Sequence, residues 1–164
     1  MDKHNPGDGF FEIILLFAIL IPAIFFLLSQ FNTLKVVRLE NRVMRPGLVW
    51  LQLIPAFGQI WQFFVVTRIA DSIRKEILSG QDDSILGISN PIAAEELGKR
   101  PTFAIGITYC SLNITGIILN FFNLNQSQII FAGLISLSGI ICWVSYWVYL
   151  VRYKHKLSRV PHNR

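Results

Sequence analysis

Charge is what this sequence has least of. Asp, Glu, Lys and Arg make up 15% of its 164 residues, where an ordinary soluble domain holds roughly a quarter. Apolar residues reach 52% and the mean hydropathy is +0.49. Such a chain has too few polar residues to cover a water-facing surface. Its apolar residues also come in long blocks rather than at helical or strand periods. The composition predicts an all-α integral membrane protein forming one helical domain over residues 1–164, with the lipid bilayer as its main partner.

Other scarcities exclude whole classes of chemistry. The two cysteines, Cys110 and Cys142, both lie inside apolar blocks, which leaves no disulfide framework and no cysteine-based zinc site. The three histidines, His4, His155 and His162, lie near the chain ends. No Asp or Glu falls in the middle of an apolar block, where proton coupling or intramembrane proteolysis would use one. The His-Glu-x-x-His, Gly-x-Ser-x-Gly and phosphate-cradling glycine patterns are missing as well. The expectation is a non-enzymatic chain without catalytic, metal-binding or cofactor-binding residues and without a cofactor. Nor is nucleic acid a partner: the net charge is +5, but the basic residues sit between and after the apolar blocks rather than on one readout face. The first nine residues carry two acids against Lys3, and no small-x-small site follows the first block. That block therefore reads as a retained membrane segment and not as a cleaved leader.

What is present is four apolar blocks. They run over residues 10–31, 46–67, 103–122 and 129–151, each long enough to cross roughly 30 Å of hydrocarbon at about 1.5 Å per residue. Pro22 in the first block is tolerable in a membrane helix. A basic stretch at 32–45 reads as a short surface helix, and residues 68–79 as an amphipathic helix with Ile69, Ile73 and Ile77 on one face and an Asp71–Lys75 pair. A polar linker covers 80–102, within which Asn90-Pro91 and the acids Glu95 and Glu96 suggest a short helix closing near Gly98. A basic tail occupies 152–164. The short polar turn 123–128 makes the last two blocks an antiparallel hairpin.

The second block is oddly built, and two architectures follow from it. If all four blocks cross as transmembrane helices, eleven Lys and Arg residues lie on one side and four on the other. Those four (Lys35, Arg38, Arg42 and Arg45) then offend the positive-inside rule. If the second block instead breaks near Pro55-Ala-Phe-Gly58 and leaves by the face it entered, fourteen of the fifteen lie inside and Lys3 alone outside. Three spans plus one broken, re-entrant helical hairpin then form the bundle, with the C-terminal tail cytoplasmic. Trp50 and Trp61 favour this second arrangement, because eleven residues separate them, about 16 Å on a straight helix, too little to mark opposite interfaces. Trp143 and Trp147 read as interfacial residues of the last block.

The uncharged polar residues within the blocks define the candidate site. Gln52, Gln59 and Gln62 share roughly one helical face, beside the helix breakers Pro55 and Gly58, and Asn113 stands in the third block. One reading is a polar path or ligand pocket; the other is hydrogen bonding between packed helices. Two functions follow. The first is association with itself, as a homo-oligomer, or with another membrane protein. The second is an oligomeric channel or transport element whose path is lined by Gln52, Gln59 and Gln62.

The stretch from Asn41 to Glu76 also carries a resemblance. Arg45-Pro46-Gly47, Trp50, Ile54-Pro55, Ile60-Trp61-x-Phe63, Ile69-Ala70-x-Ser72 and Glu76 resemble a pattern in uncharacterised bacterial multi-span membrane proteins, a domain of unknown function. The likeness covers some 35 residues closely and most of the chain in the order of its segments. It implies the multi-span architecture and a bacterial inner-membrane location, and it implies no activity. The sequence departs from the pattern at Gly58, where the resemblance implies Asn.

Overall fold

The structure, a computed structural model, describes residues 6–82, 100–119, 121–122 and 125–158. The short helix expected at 90–98, Lys3 and the last residues of the basic tail lie outside these. Among the described residues the chain is all helical. Helix α1 covers Pro6–Val36, a 3-10 helix covers Pro46–Leu53, and α2 covers Phe57–Asp82. Helix α3 then covers Phe103–Leu119 and α4 Gln126–Ser158.

Several boundaries differ from those expected, for physical reasons. Helix α1 does not stop at residue 31, because Thr33, Leu34 and Val37 are buried against the following segment and hold the backbone helical. The surface helix expected at 32–45 is therefore absent. Its first residues end α1, where Lys35 faces the negative end of the helix dipole, and its remainder forms turns. The second block is not one helix either. Pro46 starts the 3-10 helix at its first position, Pro55 has no N–H with which to continue it, and Ala56 takes a left-handed φ of 61°. Beyond this break α2 runs through without interruption, so the second half of the block and the amphipathic stretch 68–79 form one helix of 26 residues. Helix α4 continues past the expected end at 151 into the basic tail, with Leu157 still buried in the core.

Side-chain contacts fix how these pieces lie. Val43 meets Ser72, Leu48 meets Trp61 and Gln52 meets Gly58, so the chain descends and returns as an antiparallel hairpin with its tip at 54–56. Both strands of that hairpin start from one level, since Arg38 touches Glu76. Helix α3 runs antiparallel to α2, by the pairs Asp71–Arg100, Val66–Gly106 and Gln62–Tyr109. Asp71 thus pairs with Arg100 across 3.3 Å rather than with Lys75 on its own helix. Helix α4 is antiparallel to α3, through Gly106 on Tyr146 and Gly116 on Ser136. It is parallel to α1, where Phe26 and Ser29 meet Trp143 and Trp147 in the same order.

The outer surface is apolar. Among the described residues two helical stretches are long and apolar enough to cross a membrane, Leu16–Val36 and Gln126–Ser158; α3 is apolar but shorter, at 17 residues. Only 6% of the most apolar window of α4 is buried inside the protein. Phe10, Phe17, Ile19, Phe131 and Ile141 are all more than half exposed, a surface suited to hydrocarbon and costly in water.

Two glycines set the closeness of the packing. A Cβ at Gly106 would lie 2.4 Å from Val66 and 2.9 Å from Tyr146, and one at Gly58 would lie 2.1 Å from the carbonyl oxygen of Gln52. The chain has no room for any side chain at Gly58, including the Asn that the resemblance implies. Gly106→Val and Gly58→Ala are each expected to destabilise the protein by about 1–3 kcal/mol. Gly133→Val, with nothing within 4 Å, should leave stability unchanged. Thermal unfolding of the three variants in detergent checks this, and equal midpoints would contradict the packing described.

Candidate functional site

The hairpin tip carries the amides that the sequence singles out, but not on one helix. Pro55 separates Gln52 from Gln59 and Gln62, so Gln52 projects from the 3-10 helix and the other two from α2. The fold brings all three together again on the wall of a cavity of about 540 Å³. Its walls come from α1, α3 and α4, including Asn113, Gly116 and Ser136. The sequence-predicted residues Gln52, Gly58, Gln59, Gln62 and Asn113 therefore meet in one place, while Pro55 stands beside it as the cause of the turn.

The amides are ordered by one another and by two residues that the sequence reading passed over. Gln52 donates to the side-chain oxygen of Gln30 at 2.6 Å and to the carbonyl of Val49 at 3.2 Å. Gln62 donates to Gln59 at 3.3 Å, and its own oxygen accepts from the Tyr109 hydroxyl at 3.1 Å. Gln30 is fully buried. Its amide nitrogen and the side-chain oxygen of Asn113 are buried without a hydrogen-bond partner. Buried polar groups left so are few in folded proteins. The signal for Gln30 was present, as an amide near the end of an otherwise apolar block. Tyr109 offered none, because a tyrosine in an apolar segment reads as core.

Aromatic rings pack beside the amides. Phe26 sits edge-on to Tyr109, Trp143, Tyr146 and Trp147, with ring centroids 5.5–6.2 Å apart, the favoured geometry for such pairs. Phe26, Tyr109 and Trp143 also line the cavity. The tryptophans expected at interfaces are partly engaged inside the protein. Trp61 donates to the Leu48 carbonyl at 2.9 Å and so ties the two strands of the hairpin together. Trp147 donates to Ser29 at 2.7 Å, Trp143 joins the ring cluster, and Trp50 lies against Phe31.

A second polar cluster secures the base of the hairpin. Glu76 is buried, and its carboxylate accepts from the Arg38 backbone N–H at 3.0 Å and from the Asn41 amide at 2.7 Å. The Arg38 guanidinium lies 3.4 Å from the same carboxylate. The Ser72 hydroxyl accepts from the Val43 N–H at 3.0 Å, and Arg42 donates to the Lys35 carbonyl in the last turn of α1 and to the Val37 carbonyl just beyond it. These contacts hold the turn 37–45 on α2. No protein-family model, curated protein or solved structure matches this chain. Its site is therefore read from its own chemistry. Both cysteines are free thiols, and among the described residues no three His, Cys, Asp or Glu side chains are placed to share a metal ion.

Glu76→Ala removes the buried partner of Arg38 and is expected to cost about 3 kcal/mol. Glu40 also approaches Arg38, at 3.8 Å, but its side chain is 70% exposed, so Glu40→Ala should cost less than about 1 kcal/mol. Unfolding of the purified variants in detergent separates the two, and equal losses would remove Glu76 as the clamp.

Proposed function

We propose that this chain is a non-catalytic integral membrane protein of three spans and one re-entrant hairpin, which works by holding a small ligand in the cavity at the hairpin tip. The observation that carries the reading is that cavity, whose wall joins the amides of Gln52, Gln59, Gln62 and Asn113 and the rings of Tyr109 and Trp143 to a mostly hydrocarbon lining. This is the composition of a ligand pocket, mostly apolar with a few placed polar groups. A catalytic site would add a nucleophile, a base or a metal, and the cavity wall is built from amides, hydroxyls and hydrocarbon.

Membrane placement is supported by the exposed apolar girdle of α1 and α4 and by where the hairpin begins and ends. Arg38, two residues past α1, touches Glu76 late in α2, so the chain comes back to the level from which it left. The end of α1, the base of the hairpin, the start of α3 and the end of α4 then share one face. That face collects Lys35, Arg38, Arg42, Arg45, Arg100, Arg152, Lys154 and Lys156, as the positive-inside rule requires of the cytoplasmic side. In this reading the protein resides in a bacterial inner membrane with its C-terminal tail in the cytoplasm.

Sidedness tests it directly. In a C110A/C142A background, single cysteines replace Glu40, Gln126 and Lys156, all exposed, and spheroplasts are treated with an impermeant maleimide. Position 126 should react at once, with positions 40 and 156 protected until the membrane is opened. If positions 40 and 126 react together, the second block crosses, the chain has four spans, and the hairpin reading is wrong.

A further inference from the structure

Resting on the reading of the hairpin base as part of the cytoplasmic membrane surface, we propose that the outward face of the 3-10 helix binds an anionic phospholipid, with its phosphate at the level of Lys35, Arg45 and Arg68. Register puts these three cations together. Phe31 lies against Trp50. Lys35 is four residues beyond Phe31 and Gly47 three before Trp50, and one turn of either helix rises about 5–6 Å, so Lys35 stands level with Gly47. Arg45 and Arg68 both fall between the contacts Leu48–Trp61 and Val43–Ser72. The 3-10 helix turns Val49 inward, where it is fully buried, and leaves Gly47 exposed. A Cβ at Gly47 would meet nothing within 4 Å, so the surface there is open to a head group.

The charges of these cations are not answered within the protein. Glu40 and Glu76 pair with Arg38 and Asp71 with Arg100, and no carboxylate among the described residues pairs with Lys35, Arg45 or Arg68. Long basic side chains at a membrane surface ordinarily extend to water. Two of these fold back instead over rings nearer the hairpin tip. The Lys35 ammonium is 4.6 Å from the centre of Phe31, and the Arg68 guanidinium 4.8 Å from that of Phe64. Each ring begins a ladder. Phe31 meets Trp50, while Phe64 stacks on Trp61 at 4.6 Å and Trp61 on Phe57 at 5.3 Å. The ladders flank the 3-10 helix on its α1 and α2 sides, each with a cation at the base and rings toward the tip. That is the order of polarity of a phospholipid from head to chain.

The head group alone decides the class, because the chains of any bilayer lipid would cover the rings equally. A phosphodiester brings the cations a negative charge and acceptor oxygens. A choline or ethanolamine head adds an ammonium, which would meet three cations and no carboxylate. The fit is therefore to a lipid whose head group is a net anion, such as phosphatidylglycerol. Each Lys or Arg at a membrane surface favours anionic lipid by about fivefold, so three at one level enrich it beyond its share of the bilayer.

Tryptophan quenching tests this, because Trp50 and Trp61 belong to the ladders. The full-length chain, with Trp143→Phe and Trp147→Phe, is placed in phosphatidylcholine nanodiscs holding a minor share of chain-brominated lipid. Brominated phosphatidylglycerol is expected to quench at least about twofold more than the same share of brominated phosphatidylcholine. Joint replacement of Lys35, Arg45 and Arg68 by Gln should remove the excess, and so should Gly47→Leu, which occupies the open surface and leaves every charge in place. Joint replacement of Lys75, Arg152 and Lys156 by Gln, all exposed elsewhere on that face, should preserve it. Native mass spectrometry of the unaltered chain, which should retain phosphatidylglycerol over phosphatidylcholine, reads the same preference without any substitution. If the two brominated lipids quench equally, the anionic class is overturned and the membrane placement stands. If the second triple variant abolishes the excess as fully as the first, or Gly47→Leu leaves it intact, the attraction belongs to the whole face and the site is overturned. If inorganic phosphate removes the excess where sodium chloride of equal ionic strength does not, the ligand is a free anion and not a lipid. If neither lipid quenches, the hairpin does not sit in the bilayer and the placement falls as well.

Discussion

A backbone that stops being helical among apolar side chains has to find partners for its own N–H and C=O groups, and the fold is organised around that requirement at residues 54–56. Apolar neighbours offer none. The break satisfies itself with tight local bonds. The Ile54 N–H reaches Leu51 at 3.2 Å, Phe57 reaches the Pro55 carbonyl at 2.7 Å, and Gly58 reaches Ile54 at 2.7 Å. The return strand adds Trp61 on the Leu48 carbonyl, and α1 adds Gln30 on Gln52. Gly58 is required because these bonds draw α2 against the Gln52 carbonyl closely enough to exclude a side chain. A 3-10 helix of eight residues is long for its type. It persists here because α1 and α2 hold it on both sides.

The tip would not hold its register without the base. Glu76, Arg38, Asn41 and Ser72 fix where the hairpin starts, and the length of the two strands then fixes how far the tip reaches. The two polar clusters are thus one mechanical unit. The lower one uses charge, at the end of α1 where basic side chains are available. The upper one uses only neutral groups, amides and the Tyr109 hydroxyl, which are far less costly to bury than ions. That division follows the change in polarity along α1, from exposed phenylalanines and isoleucines near its start to Lys35 in its last turn.

What could be read from the sequence, and what could not, follows from the range of the physics involved. The break near Pro55 was legible because a missing N–H is a local fact that no tertiary contact can repair. The meeting of Gln52, Gln59 and Gln62 was expected for the wrong reason: helical spacing put them on one face, whereas the turn brings them together from two segments. The helix end expected between residues 67 and 68 was wrong because hydrophobicity changes there while backbone propensity does not. No Gly or Pro interrupts the chain from Gln59 to Ser79, and α2 runs on. Tyr109 and the Arg38–Glu76 contact were invisible because each depends on a partner 38 to 47 residues away. Sequence spacing reports only what one element can reach within itself, which is also why Asp71 was given to Lys75 instead of Arg100.

The cavity follows from the same constraint. Gln52, Leu53 and Gly58 at the tip form one wall, and α1, α3 and α4 supply the others. At the same level α3 and α4 pack through Gly116 and Gly139, so the space that is left lies between that pair, α1 and the tip. An unbroken helix through 46–67 would set Gln52, Gln59 and Gln62 along one helical face. The turn instead draws them from two segments to one wall, where Gln52 is held by Gln30 and Gln62 by Tyr109. The polar wall is thus fixed from α1 and α3 and not by α2 alone.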